Sequence, residues 1–148
     1  MAMLVRYAQD GDTKKLISFL QGANLGTDGI ENLVDYFLIM EDEKGWIQAT
    51  LGIEPLGKIG LLRSFATTAQ IGENELLFIF EQMLKLAKEK GIEKLYLATN
   101  RSSSLSFFTL LGFEKEEKEN LSQELADSDH VNHIQTVDNS VFMVLNLQ

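Results

Sequence analysis

An apolar strand, a short polar loop and an amphipathic helix follow one another between Gly60 and Gly91 (GLLRSFATTAQIGENELLFIFEQMLKLAKEKG), and this run constrains the fold more than any other part of the sequence. Leu61 to Ala66 is apolar apart from Arg63 and Ser64 and reads as a strand. Thr67 to Asn74 is a polar loop. A helix is predicted from about Glu75 to Lys90, with Leu76, Leu77, Phe80, Met83, Leu84 and Ala87 at the spacing of a buried face. Gly91 supplies a left-handed stop, and Lys85, Lys88 and Lys90 fall in the last turns, where the helix dipole favours cations. A strand that leads through a loop into a helix N-terminus turns backbone N–H groups towards one point, a geometry suited to anions. Function is expected in this stretch.

The rest of the sequence bounds what that function can be. A single domain over residues 1–148 is expected, 45% hydrophobic and large enough for its own core. The net charge of −9 argues against nucleic acid or an anionic membrane as the main partner. The absence of cysteine excludes thiol catalysis, disulfides and thiolate metal sites. Met1 to Arg6 holds no apolar leader core and no apolar run approaches a membrane span, so a cytoplasmic protein is expected. One proline, no low-complexity segment and no internal repeat leave no sign of a linker.

In chain order, Met3 to Tyr7 reads as a short strand, and Asp10 or Asp12 can cap a helix over Thr13 to Leu20 with Leu16, Ile17 and Leu20 on its apolar side. Gly22 to Gly29 is a loop and Ile30 to Tyr36 a short helix. Phe37 to Glu41 and Trp46 to Ile53 form a hairpin about a turn at Asp42 to Gly45, with Trp46 as a core anchor. Glu54 to Lys58, with Pro55 and Gly57, turns the chain into the central strand at Ile59. After the central helix comes a strand at Lys94 to Thr99, and a right-handed crossover makes it the parallel neighbour of the central strand. Leu105 to Leu111 is a helix ended by Gly112, Glu114 starts a strand, and Val141 to Leu147 closes the sheet. The fold class is α/β: one mixed, mostly antiparallel sheet with helices on both faces.

Four strings in this order, Gly60-Leu-Leu-Arg-Ser-Phe-Ala66, the helix ending at Gly91, Leu95-Tyr-Leu-Ala-Thr99 and Phe107-Phe-Thr-Leu-Leu-Gly-Phe113, resemble the GNAT N-acetyltransferases. The resemblance is to the small stand-alone branch similar to N-acetylglutamate synthase, and it extends over most of the chain. Asn24 to Gly29, Gly52-Ile-Glu54 and Asn120 to Leu125 fall where that branch has a loop, the approach to the central strand and an added segment. The resemblance implies two splayed parallel central strands with acetyl-CoA between them. It also implies main-chain pairing of the pantetheine arm near Phe65, Ala66 and Thr67, and pyrophosphate on the loop Gln70, Ile71, Gly72 and Asn74. The reaction it implies is direct attack of a neutral amine on the thioester.

Two positions depart from the family pattern. In the pyrophosphate loop, written Gln/Arg-x-x-Gly-x-Gly/Ala, this chain has Gln70-Ile-Gly-Glu-Asn-Glu75, with Glu73 and Glu75 at both small-residue positions. Small residues there let the backbone approach a phosphate. Two like unit charges at ~6 Å repel by about 3 kcal/mol at an effective dielectric near 20. The same carboxylates also suit a helix N-terminus, and a shift of register would bring Gly72 into play. Phe108 stands where many relatives carry a tyrosine able to protonate the departing thiolate, so neither a general acid nor a general base is assigned. Phe107 and Phe108 read as core.

Arg63 has three readings: paired with a carboxylate such as Glu54, turned outward, or clamping a substrate carboxylate by two parallel hydrogen bonds. Strand alternation puts Arg63 and Phe65 on one face and Leu62 and Ser64 on the other. His130 and His133 beside Asp127 and Asp129 lack a second ligand cluster, and no metal is expected. The alternating charges of Glu114 to Glu119 read as solvated surface. Two functions follow from the resemblance. One is an acetyl-CoA-dependent N-acetyltransferase for a small amine or amino acid. The other is a non-catalytic descendant that has lost acetyl-CoA and serves as a ligand-binding or interaction module. Small molecules are the expected partners, with a homodimer left open.

Overall fold

A computed structural model describes residues 3–99, 102–117 and 141–147. The expected added segment at Asn120 to Leu125 and the cluster of Asp127, Asp129, His130 and His133 lie outside the described residues. The elements are β1 (Leu4–Tyr7), α1 (Thr13–Gly22), β2 (Phe37–Glu41), β3 (Ile47–Leu56), β4 (Ile59–Thr67), α2 (Glu73–Glu89), β5 (Lys94–Thr99), α3 (Ser102–Leu110), β6 (Glu114–Glu116) and β7 (Val141–Asn146). Short 3-10 turns occupy Asp10–Asp12, Ile30–Asn32 and Val34–Tyr36. The strands hydrogen-bond in the order β1-β2-β3-β4-β5-β7-β6. The β4–β5 pair is parallel, as the crossover rule requires, and β1–β2, β2–β3, β5–β7 and β6–β7 are antiparallel. The expected α/β class with a mixed sheet is what forms. Packing divides the chain into two compact units, Met1–Glu54 with Leu62–Lys90, and Pro55–Leu61 with Gly91–Gln148.

In the first unit, the β2–β3 register sets Phe37 opposite Gly52 and Ile39 opposite Thr50. A side chain at residue 52 would lie 2.5 Å from the Phe37 ring, so only glycine admits the fully buried Phe37 there. Phe37 and Ile39 join Leu16 and Leu20 of α1, Ile30, Val34 and Ala66 in one cluster. Leu38 and Met40, alternating with them, are equally buried on the opposite face. Helix α2 buries Ile79, Phe80, Met83, Leu86 and Ala87. The buried stripe is therefore turned relative to the predicted one, with Leu76, Leu77 and Leu84 only half-buried. Burial of a side chain such as Phe80 stabilises by about 1.5–3 kcal/mol. Gly91, at φ +77°, ends the helix as its position implies.

Four other expectations are corrected. Asp12 does not cap α1. Its carboxylate accepts from the Gln9 N–H at 2.8 Å and from Arg6 Nη1 and Nη2 at 2.7 and 2.8 Å. Arg6 also donates from Nε to Glu41 at 2.8 Å, which ties β1, the turn before α1 and β2 together. Trp46 is 67% exposed, because β3 begins after it and its N–H is taken by the Asp42 carboxylate closing the hairpin. The turn into the central strand is tighter than expected: β3 runs through Pro55 to Leu56, leaving only Gly57, at φ +70°, and Lys58. The short helix expected over Ile30 to Tyr36 is two 3-10 turns.

In the second unit, β4 pairs with β5 at Ile59↔Lys94, Gly60↔Leu95 and Leu61↔Tyr96. Ile59, Leu61, Tyr96 and Phe142 form its core, with Leu56, Ala98 and Val144 packed on it. Phe108 packs edge-on against Phe107 and Phe113; Phe108 is buried as core, as expected, whereas Phe107 is only half-buried. Gly112, at φ +104°, turns α3 into β6.

Candidate acyl-group and anion site

Among the described residues, β4 has no strand paired to its β5 side beyond Leu61, although it continues to Thr67. Leu62 to Thr67 is thus a strand with an open hydrogen-bonding edge that runs directly into the loop before α2. Within it Ser64 adopts φ +56°, a conformation that L-residues rarely take inside a strand. Its carbonyl accepts a hydrogen bond from the buried Thr50 hydroxyl at 2.9 Å. This kink undoes the alternation expected from the sequence. Phe65 packs edge-on against Phe80 of α2 at 5.2 Å, whereas Ala66 packs with Leu16 and Leu20 of α1. Arg63 donates from Nη2 towards the Asp28 carbonyl, beside Ile30 of the α1 cluster, at 3.5 Å. Arg63 and Phe65 therefore sit on opposite faces, because a left-handed residue between them reverses the pleat.

The loop is pinned at its start. Thr68 donates its N–H to the Gln48 carbonyl at 2.9 Å and its hydroxyl to Gln48 Oε1 at 2.6 Å, and Gln48 Nε2 donates to Asp42 at 2.9 Å. Asp42 in turn caps the hairpin through the Lys44 and Trp46 N–H groups. A buried Gln and the preceding hairpin thereby hold the loop. Within the loop, the Gln70 N–H reaches the Thr68 hydroxyl and the Ile71 N–H the Thr68 carbonyl, both at 3.3 Å. The side chains of Gln70 and Asn74 are exposed, and Ile71 is half-buried.

Helix α2 begins at Glu73, two residues before the predicted start, so Glu73 and Glu75 lie inside its first turn. Gly72 is the N-cap, in extended backbone. Its N–H donates to the Glu75 carboxylate at 3.3 Å. The N–H groups of Ala69, Glu73 and Asn74 have no acceptor among the described residues. Added side-chain bulk at residue 72 would meet only the Glu75 carboxylate, at 3.6 Å, so no close backbone approach is built there without a ligand.

Of the residues named from sequence, Phe65, Ala66, Thr67, Gln70, Ile71, Gly72 and Asn74 all lie along this one strand-loop-helix path. Arg63 is at its start on the α1 face. It makes no ion pair among the described residues, only a 3.1 Å hydrogen bond to the Ser64 hydroxyl and the long contact with Asp28. The Arg63–Glu54 pair, one of the three readings of Arg63, does not form. Sequence reasoning missed Ser64, whose residue type carries no signal for left-handed backbone, and Gln48, whose place in an otherwise apolar strand was the available signal. No group of side chains among the described residues could hold a metal ion. No helix among them is long and apolar enough to cross a membrane.

No family model matches the chain. YwlB, an uncharacterized protein of Bacillus subtilis (strain 168), is 31% identical over 140 residues, covering 94% of this chain and 94% of that protein. Among solved structures, Rv2747 from Mycobacterium tuberculosis in complex with CoA superposes with a TM-score of 0.77 at 16% identity, over 98% of this chain and 99% of that chain. A GNAT-family acetyltransferase from Staphylococcus aureus Mu50 superposes with a TM-score of 0.75 at 16% identity, over 99% of this chain and 100% of that chain. The chain belongs to the same family as YwlB and has the fold of the GNAT acetyltransferases.

Proposed function

We propose that the chain is an acetyl-CoA-dependent N-acetyltransferase acting on a small amine or amino acid. The observation that carries this reading is the edge of Leu62 to Thr67, open among the described residues, which ends at a helix N-terminus whose first N–H groups have no acceptor among them. An extended amide-bearing arm can pair with such an edge as an added strand, main chain at Phe65, Ala66 and Thr67. A diphosphate can take the N–H groups of Ala69, Glu73 and Asn74, with the exposed Gln70 side chain beside it. The Rv2747 structure, which contains CoA, supports the reading through its shared fold.

Acetyl-CoA supplies an activated thioester. The chain supplies position. The kink at Ser64 turns the backbone out of the ladder, offering main-chain N–H groups towards a carbonyl whose oxygen gains charge as the amine attacks. Arg63, with no carboxylate partner among the described residues, is available to a substrate carboxylate on the α1 face. Phe108, buried among Phe107 and Phe113, holds no proton for the leaving thiolate.

One observation favours a second reading, a non-catalytic ligand-binding module: the Glu75 carboxylate already occupies part of the α2 N-terminus. The two are separated by incubating the protein with acetyl-CoA and pools of small amines and amino acids. The chain has no cysteine, so released CoA is the only thiol in the assay. Thiol release above the hydrolysis background with at least one pool is expected. No release with any pool, under conditions where acetyl-CoA is bound, contradicts the enzymatic reading.

A further inference from the structure

The outer strands of the sheet, β1 and β6, are guarded differently. β6 carries a charge at every residue, Glu114, Lys115 and Glu116, which defends an edge against pairing with another chain. β1 reads Leu4, Val5, Arg6 and Tyr7. Its one charge is withdrawn from the edge, because the Arg6 guanidinium donates to Asp12 at 2.7 Å and to Glu41 at 2.8 Å. Leu4 is 60% exposed and Tyr7 41%.

The register fixes which main-chain groups this edge offers. Ala8 donates its N–H to the Phe37 carbonyl at 2.9 Å, and Arg6 and Leu4 follow at alternate positions, opposite Ile39 and Glu41. In an antiparallel ladder the residues between such positions turn their N–H and C=O outward. Those residues are Val5 and Tyr7. The Tyr7 carbonyl accepts from Arg6 Nη1 at 3.4 Å, whereas the Val5 N–H and carbonyl and the Tyr7 N–H have no partner among the described residues. A cavity of about 400 Å³ adjoins the strand, lined by Met3 and Leu4 and, from the hairpin, by Glu41, Asp42, Glu43 and Gly45. Around it Asp12, Glu41, Asp42 and Glu43 outnumber the cations Arg6 and Lys44, in a chain whose net charge is −9. Apolar surface bordered by carboxylates suits a lysine or arginine, whose methylene stem packs on Met3 and Leu4 while its charged head meets the carboxylates.

We propose that the outer edge of β1 receives an extended basic segment of another protein. The segment adds as a strand along Val5 and places a lysine or arginine side chain in the cavity beside Glu43. Main-chain pairing supplies affinity and the cavity selects the charge. A second copy of this chain is a poorer occupant. It carries the same charge of −9, and the one cation of its own β1 is already bound to Asp12 and Glu41. The proposal is independent of the acetyltransferase reading, since β2 and β3 stand between β1 and β4.

The test is fluorescence polarisation of the full chain with labelled octapeptides. One alternates lysine and valine, one alternates glutamate and valine, and the last is the lysine peptide N-methylated at every residue, which keeps the charge and cannot donate from its main chain. The lysine peptide is expected to bind at least ten-fold more tightly than either of the others. Val5→Pro removes an outward N–H without touching the bonds to β2, and proline is tolerated on outer strands. With its fold checked by circular dichroism, it should abolish binding. Glu43→Lys, at an exposed position, should weaken binding ten-fold or more and erase the preference for lysine over glutamate. No binding of the lysine peptide at millimolar concentration, equal binding of its N-methylated form, or an unchanged preference in Glu43→Lys each overturns the proposal. Sedimentation of the peptide-free chain is measured alongside. A concentration-dependent dimer that Val5→Pro abolishes would give the edge to a second copy and overturn the proposal as well.

Discussion

The Glu75 carboxylate accepts a hydrogen bond from the Gly72 N–H at 3.3 Å, across the first turn of α2. At this contact the anion-binding potential of the loop is partly taken up by the chain itself. The carboxylate stabilises the helix terminus by about 0.3–1 kcal/mol and in the same place opposes an arriving diphosphate. Glu75→Gln keeps the reach to Gly72 and removes the charge. CoA affinity should rise by about three- to ten-fold at low ionic strength, a gain that shrinks at high salt as the repulsion is screened. Titrations at two salt concentrations check this.

Gln48 links the hairpin at Asp42 to the start of the loop at Thr68. Replacing it with leucine removes both side-chain bonds while keeping apolar bulk, and leaves the Thr68 hydroxyl without its acceptor. A stability loss of about 1–3 kcal/mol is expected. CoA affinity should fall beyond what the lost stability explains, because the loop loses its anchor. Chemical denaturation and CoA titration of the same variant separate the two effects.

Gly52→Ala places a methyl carbon 2.5 Å from the Phe37 ring, in a cluster with no room to give. Overpacking of this kind costs about 1–3 kcal/mol. The double variant Gly52→Ala, Phe37→Leu should recover part of the loss, which thermal denaturation of the single and double variants measures.

The Arg6 guanidinium holds the Asp12 carboxyl down to about 2, from an ordinary 3.8, with the Gln9 N–H assisting. A lowered folded-state value means that the stabilisation is complete above pH 3.8 and is lost as pH falls towards about 2. The contribution is at most about 2 kcal/mol. Asp12→Asn should be less stable at neutral pH, and its stability should fall less steeply than that of the wild type across this acid range.

The order of strands and helices was legible because most segments obey local rules: Phe37 to Glu41 and Lys94 to Thr99 have the bounds their composition implies. Two of the misreadings share a cause, in that a side-chain partner a few residues away decided the outcome. Trp46 looks like a core residue, yet the Asp42 carboxylate ends the hairpin at its N–H and leaves the ring in solvent. Asp12 looks like a helix cap, yet Arg6 claims its carboxylate. At the candidate site, the path from Phe65 to Asn74 could be read from the strand-loop-helix order. The opposed faces of Arg63 and Phe65 could not, since they follow from one left-handed serine. The missing Arg63–Glu54 pair was equally hidden, because residue types do not report the offset between neighbouring strands.

The central claim is that the open edge of β4 and the N-terminus of α2 together receive acetyl-CoA, and thermal denaturation with and without it tests this most directly. At a hundred-fold excess over the dissociation constant, binding linkage should add about 2.7 kcal/mol of stability and raise the melting temperature, with the effect weakened by salt. An unchanged melting temperature at millimolar acetyl-CoA and low ionic strength, in both the wild type and Glu75→Gln, would contradict it.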